Sequence, residues 1–246
     1  MKKLGLIGYP LSHSFSKKYF ETKFHNEKIP GYSYELFELK NLDTFPLILK
    51  KNPCLTGLNV TIPYKEKILD YVDEKDPIVE EIGAANTLKI INGKIKAFNT
   101  DVIGFEKSFV SKLAPYHKSA LILGTGGASK AVSFILKKLS IPHLFVSRNP
   151  QNENTIGYHE IDENLMKNYT IIINTTPLGI YPEMEKKPEI PYKWAGKQHY
   201  FYDLIYNPSL TLFLKEAELR GATISNGLNM LKLQAEEAWK IWTDKN

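Results

Sequence analysis

The chain has 246 residues, and 32 basic against 27 acidic side chains leave a formal charge of +5. At about 150 residues per domain this is one large or two small domains, and 43% hydrophobic with 24% charged residues is ordinary globular usage, which excludes wholesale disorder. Cys54 is the single cysteine, so neither an intramolecular disulfide nor a Cys-rich zinc site is available, and no metal centre is expected. Leu4 to Gly8 is expected to be a short buried strand, followed by a loop and a helix over 15–25. Tyr32 to Leu36 alternates as a strand, Leu42 to Lys50 has helical spacing, and Leu55 to Ile62 is a further strand stopped by Pro63. Tyr64 to Val72 is expected to be helical. Residues 86–91 and 94–98 flank Asn92-Gly93, which supplies the positive φ angles of a type I′ hairpin turn.

From Val102 the pattern changes to alternating helices and strands: helix 102–113, strand 120–124, helix 127–139, strands 143–146, 169–174 and 200–204, and helix 208–219. Such alternation predicts an α/β fold with a parallel, doubly wound sheet and a boundary near Asp101. Residues 150–165 are short and polar, which predicts a trimmed βα unit. A last helix carries Leu228, Leu231, Ala235, Ala238, Trp239 and Trp242.

Ala120 to Leu123 leads into Gly124-Thr125-Gly126-Gly127-Ala128-Ser129 and then an amphipathic helix. In that context the glycines permit a tight turn and a close backbone approach to a pyrophosphate at the helix start. Ser129 holds the place of the third glycine of the strict fingerprint, and a plain βα turn is the bland alternative. The next strand ends at Ser147-Arg148-Asn149 with no carboxylate. An acid there would bind a ribose 2′-hydroxyl, whereas a guanidinium suits a 2′-phosphate, so NADP is favoured over NAD.

The first hundred residues carry polar clusters at strand ends. Gly8 to Ser16 places Ser12, His13, Ser14 and Ser16 between a strand and a helix, where they serve either to hold a carboxylate or polyol or simply to cap the helix. In Leu58 to Lys65 the apolar Leu58, Val60 and Ile62 share one face, and Asn59 and Thr61 the other. Lys65 then follows the strand end, either as a site cation or as a solvated surface lysine. Asn86 and Asp101 sit at matching ends of the hairpin and can point at one place, or act as turn residue and helix cap. Gln234 interrupts an apolar stripe and needs a partner for its amide.

These motifs together resemble the shikimate dehydrogenase family: GYPLSHSFS at 8–16, NVTIPYK at 59–65, GAANT at 83–87, NTD at 99–101, GTGGAS at 124–129, NTTPLG at 174–179, DLIY at 203–206 and GLNMLKLQ at 227–234. The resemblance implies a substrate domain over 1–101 plus 226–246 and an NADP-binding, Rossmann-type domain over 102–225. It implies NADPH-dependent reduction of 3-dehydroshikimate to shikimate. Lys65 and Asp101 would be the catalytic pair, and Ser14, Ser16, Thr61, Asn86, Tyr206 and Gln234 would join them in holding the substrate. Gly124, Thr125, Gly126, Gly127, Ala128, Ser129, Ser147, Arg148, Asn149, Thr175, Leu204 and Gly227 would line the cofactor.

The chain departs from the family pattern at Lys17, where many relatives have proline. It also departs after Arg148, where a second basic residue is usual and Ser147 to Asn152 has none. Quinate or NAD use therefore stays open, as does a non-catalytic NADP-binding regulator, although the presence of both Lys65 and Asp101 speaks against the latter. The terminal run Leu4 to Gly8 is too short for a signal peptide, and nothing approaches the ~18 apolar residues of a membrane span. The lysines are scattered among acids. A cytoplasmic protein is expected, monomeric or homodimeric, with a small-molecule substrate and no nucleic-acid or membrane partner.

Overall fold

The computed structural model describes residues 1–11 and 14–244, so Ser12 and His13 of the first polar cluster lie outside the described residues. Residues 1–100 with 235–246 form one unit, and residues 101–234 form the other.

In the first unit β1 (Lys2–Gly8), α1 (Phe15–Asn26), β2 (Tyr32–Glu38), α2 (Phe45–Lys51), β3 (Leu55–Val60), β4 (Glu74–Lys75), α3 (Pro77–Ile82), β5 (Thr87–Ile91) and β6 (Lys94–Phe98) follow in order. The sheet order is β2-β1-β3-β5-β6-β4, with β2, β1 and β3 parallel, β5 antiparallel to both β3 and β6, and β4 parallel to β6. Alternate side chains of β1 go to opposite faces. Leu4 and Leu6 pack with Phe20, Tyr34, Ala238 and Trp242 on one face, and Ile7 joins Leu58, Val60 and Leu88 on the other. The hairpin turn at Asn92-Gly93 has positive φ at both residues, 52° and 79°, as its sequence predicts.

Three expectations in this unit are corrected. Residues 64–72 are not an α-helix. Only Lys67–Tyr71 coils, as a short 3-10 turn, because Ile68 alone is fully buried and Val72 is already extended. Strand β3 stops at Val60, so Ile62 does not continue the apolar face and is 64% exposed. Helix α3, which the sequence pattern did not reveal, has an Asp76 cap accepting from the Ile78 N–H, Pro77 in its first turn and Gly83 in the left-handed C-terminal position.

In the second unit come α4 (Asp101–Val110), β7 (Ala120–Leu123), α5 (Gly127–Lys138), β8 (His143–Ser147), β9 (Thr155–Gly157), α6 (Glu163–Asn168), β10 (Ile171–Asn174), β11 (Tyr200–Asp203), α7 (Leu212–Glu218), β12 (Thr223–Ser225) and α8 (Leu228–Thr243). All six strands are parallel in the order β12-β11-β10-β7-β8-β9. This is the doubly wound order, with its switch point between β7 and β10. The inner strands β7, β10 and β11 are buried along their whole length, as strands covered on both faces must be. The polar 150–165 segment does hold a βα unit, but its strand has only three residues and lies at the sheet edge. Helix 102–113 ends early at Val110, and helix 208–219 is confined to Leu212–Glu218.

The chain returns to the first unit at Ala235, within α8, rather than at 226. The start of α8 packs on its own unit: a Cβ on Gly104 of α4 would meet the Met230 carbonyl at 2.6 Å. Among the described residues no helix is long and apolar enough to cross a membrane.

Candidate functional site

Parallel strands present ligands at their carboxyl ends. In the first unit the residues following β1 and β3 and preceding β5 are those that the sequence singles out. Ser14 caps α1, its hydroxyl accepting from the Ser16 N–H at 3.3 Å, a bond that uses its oxygen as acceptor and not its proton; both serines are half-buried. Thr61 continues past β3 with its N–H donating to the Ile7 carbonyl at 2.9 Å, and it is half-buried, as is Lys65. The Lys65 carbonyl accepts from the Ala85 N–H at 2.7 Å, which ties the NVTIPYK segment to the GAANT turn.

Asn86 is 3% exposed and tightly held. Its Oδ1 accepts from the Thr100 N–H at 2.7 Å, and its Nδ2 donates to Thr100 Oγ1 at 3.0 Å. Sequence reasoning gave no role to the residues that hold it. Asn59 Nδ2 donates to Thr87 Oγ1 at 3.2 Å and to the Asn86 carbonyl at 3.3 Å, and Asn59 Oδ1 accepts from the Tyr34 hydroxyl at 2.8 Å. All of these side chains are buried. Burial pushes the Tyr34 hydroxyl well above its ordinary range, so it stays protonated and can donate. The one signal for them in the sequence is the polar partner face of β3.

The second unit places the glycine loop at the switch point, directly after β7. Gly124 has φ +108°, and a Cβ there would meet Thr175 Oγ1 at 2.8 Å, so glycine is required on both counts. Thr175 lies at the end of β10, where both its N–H and its hydroxyl donate to the Leu123 carbonyl, at 3.0 and 2.7 Å. Helix α5 begins at Gly127 with Gly126 as its cap. It has no side-chain cap and no acidic residue in its first turn, so its N-terminal field is left for an anion. Ser129 is buried and turns its hydroxyl back to the Gly126 carbonyl at 2.7 Å, leaving exposed Thr125 and Gly126 as the outer face of the loop, with Ala128 half-buried.

After β8, Ser147 Oγ accepts from the Asn149 N–H at 3.2 Å, which places exposed Arg148 at the apex of a tight turn. Asn152, further along this turn, accepts from Thr155 Oγ1 at 2.8 Å and from the Asn154 N–H at 3.2 Å, and so shapes the entry to β9. These residues fit a dinucleotide: a glycine turn, an uncapped helix start and a guanidinium without a competing carboxylate.

Beyond the glycine loop, β11 ends at Asp203, which is fully buried. Its Oδ1 accepts from Asn174 Nδ2 and from the Ile205 N–H, both at 3.0 Å, and its Oδ2 accepts from Thr211 Oγ1 at 2.6 Å. Burial pushes this carboxyl up to about 7, against the pull of those donors. Asn174 in turn accepts from the Thr176 N–H and hydroxyl at 3.0 and 2.7 Å. Asn174 and Asp203 each open a motif quoted from the sequence, which gave neither a role, although each closes a strand whose other residues are apolar or aromatic. Gly227 approaches Leu204 so closely that a Cβ would lie 2.0 Å from its carbonyl oxygen. Half-buried Tyr206 follows in the same loop. Gln234 finds the partner its burial demands, donating to the Leu231 carbonyl at 3.0 Å. Asp101 is the buried first residue of α4 rather than a cap outside it. Among the described residues no group of His, Cys, Asp and Glu side chains is arranged to hold a metal ion.

The family profile described as "Shikimate dehydrogenase substrate binding domain" matches residues 6–88. Shikimate dehydrogenase (NADP(+)) of Methanococcus maripaludis is 41% identical over 98% of this chain and 92% of its own length. The crystal structure of shikimate dehydrogenase 1 from Peptoclostridium difficile superposes with a TM-score of 0.88 at 33% identity, covering 100% of this chain and 93% of that one. Shikimate 5-dehydrogenase from Thermus thermophilus, solved in complex with NADP(H) and shikimate, superposes with a TM-score of 0.87 at 29% identity, covering 99% of this chain and 94% of that one. With identity at this level over nearly the whole of both chains, this chain belongs to the shikimate dehydrogenase family.

Proposed function

We propose that the chain is an NADP-dependent oxidoreductase that interconverts 3-dehydroshikimate and shikimate. The observation that carries this reading is the pairing, in one chain, of two features. A polyol-binding set stands at the strand ends of the first sheet, with Asn86 locked by Thr100 at 2.7 Å, and a glycine turn and uncapped helix start stand at the switch point of the second. On this reading residues 1–100 supply most of the substrate contacts, and all of the cofactor contacts come from 101–234.

Ser14 and Ser16 hold the substrate carboxylate. Thr61, Asn86, Asp101, Tyr206 and Gln234 hold the ring hydroxyls, with Lys65 among them. Gly124 to Ser129, Ser147 to Asn149, Thr175, Leu204 and Gly227 hold the dinucleotide, with Arg148 on the 2′-phosphate. NADPH, when bound, supplies the hydride to the carbonyl carbon. As the carbonyl electron pair moves onto oxygen, the Lys65 ammonium stabilises the growing negative charge and donates the proton that completes the alcohol. Asp101 is the other member of the proton-handling pair, and in the reverse direction the same groups accept the proton. We place this activity in the cytoplasm, in a monomer or homodimer with no nucleic-acid or membrane partner.

The test is absorbance of reduced nicotinamide with purified protein and the four pairings of shikimate or quinate with NADP+ or NAD+. Turnover with shikimate and NADP+ is expected to exceed the other pairings. Faster turnover with quinate or NAD+ would move the chain to a broader polyol-acid dehydrogenase; one cation rather than two in the 147–152 turn weakens the preference for NADP without reversing it. Binding of NADP+ without turnover in any pairing would overturn the enzymatic reading.

A further inference from the structure

Tyr34, Asn59, Thr87 and Asn86 form a hydrogen-bond chain whose direction is set at both ends. The Asn86 backbone carbonyl can only accept, so Asn59 must turn its Nδ2 toward it, at 3.3 Å. The same Nδ2 donates to Thr87 Oγ1 at 3.2 Å, which commits the Thr87 proton elsewhere, to Asn86 Oδ1 or to Thr100 Oγ1, each 3.2 Å away. At the far end the Thr100 N–H, a donor only, fixes Asn86 Oδ1 as an acceptor at 2.7 Å. Asn59 Oδ1 is thereby left facing the Tyr34 hydroxyl at 2.8 Å, and that hydroxyl must donate.

An amide whose oxygen and nitrogen are nearly the same size keeps one orientation only if its neighbours demand it. The Asn86 carbonyl makes that demand of Asn59, and the Tyr34 hydroxyl anchors the other end of the amide from deep in the core. Tyr34 is 1% exposed and its ring stacks on Phe20 with centroids 4.6 Å apart. A tyrosine is needed there for its hydroxyl, since phenylalanine would fill the same stack.

We infer that Tyr34 is a positioning residue for substrate: by anchoring Asn59 it holds the Asn86 carbonyl and the Thr87 hydroxyl, and so the place from which Asn86 Nδ2, oriented by the Thr100 N–H, donates to a ring hydroxyl. The inference rests on the reading that Asn86 binds shikimate. The Tyr34 hydroxyl also bonds Ser16, a second route to substrate that an Asn86→Ala background separates from this one.

The test is steady-state kinetics of shikimate oxidation by the full chain. Tyr34→Phe is expected to raise KM for shikimate about tenfold, equal to about 1.4 kcal/mol, with kcat and KM for NADP+ within about twofold. Thr87→Val, which breaks the chain one link later, is expected to do the same, and Thr87→Ser to restore it. On an Asn86→Ala background Tyr34→Phe is expected to add nothing, because the side chain it positions is gone. Thr87→Val keeps the question open to refutation if Tyr34→Phe folds poorly.

An unchanged shikimate KM in either variant, or a full multiplicative effect on the Asn86→Ala background, would overturn the role of Tyr34 while leaving the substrate reading intact. Wild-type protein that turns over no shikimate would overturn the substrate reading itself, and this inference with it.

Discussion

At the scale of single residues, chemistry and binding separate cleanly. Lys65 is half-buried past the carboxyl end of β3, and on the proposed function its ammonium meets charge that develops only as hydride moves. Lys65→Ala is therefore expected to lower kcat by about 10²–10⁴-fold. KM for shikimate should move less than about threefold, since an interaction made mainly in the transition state does not report in ground-state binding. A raised KM at wild-type kcat would make Lys65 a binding residue only. Arg148 is the opposite case, an exposed guanidinium on a tight turn with no second cation through Asn152. Losing a hydrogen bond to a charged group costs about 1.5–3 kcal/mol, so Arg148→Ala is expected to raise KM for NADP+ about 10–100-fold. KM for NAD+, which lacks the 2′-phosphate, should stay as it is, and steady-state kinetics with both cofactors would check this. These residues were legible because glycine turns, strand ends and a guanidinium carry their chemistry within a few positions of sequence. Tyr34 was not, because its partner Asn59 lies 25 residues away and only the β1-centred sheet brings the two together.

At the scale of elements, the ends of β10 and β11 are stitched together by one buried carboxylate. Asp203 takes bonds from Asn174, the Ile205 N–H and Thr211, so the loops carrying Thr175, Leu204 and Tyr206 start from a shared anchor. Burial raises this carboxyl from its ordinary 3.8 to about 7. Between those two values the folded chain holds a proton that the unfolded chain has released. Stability therefore falls as pH rises through that window and levels off above it, with a slope of at most about 1.4 kcal/mol per pH unit. Asp203→Asn can keep the accepting oxygen toward Asn174 and Ile205 and turn its amide toward Thr211, while no longer titrating. Chemical unfolding of wild type and variant from pH 5 to pH 8 is expected to show this component of the slope in wild type alone; equal slopes would mean that Asp203 does not titrate there. The elements themselves were readable where periodicity was long, as in α1, α5 and the β5–β6 hairpin. The 64–72 segment was misread because it buries only Ile68 fully beyond Tyr64 and so coils for a single 3-10 stretch. The trimmed unit expected over 150–165 has a three-residue edge strand, and β12, as short and also at an edge, carried no readable pattern.

At the scale of the whole molecule, α8 is the element whose role depends most on the fold. Its approach is set by Gly227, whose N–H donates to the Ile205 carbonyl at 3.0 Å and whose missing Cβ makes room for the Leu204 carbonyl oxygen. Gly227→Ala would force backbone against backbone at 2.0 Å. It is expected to destabilise the chain by about 1–3 kcal/mol, the usual cost of overpacking, and to raise KM for NADP+ because Leu204 must shift. Thermal unfolding together with cofactor kinetics would test this, and an unchanged midpoint would show that the loop relaxes freely. The sequence by itself determined the local business of this protein: where the chain turns, which strands are buried on both faces, where a glycine turn opens a helix, and where a guanidinium follows a strand end with no carboxylate. Such properties depend on neighbours within a turn or two. Only the tertiary structure decided which strands lie side by side, that α8 belongs to the second unit until Gln234, and how Tyr34, Asn59 and Thr87 hold Asn86. Those contacts join residues far apart in the chain, and a one-dimensional pattern records which side chains need partners but not which partners they find.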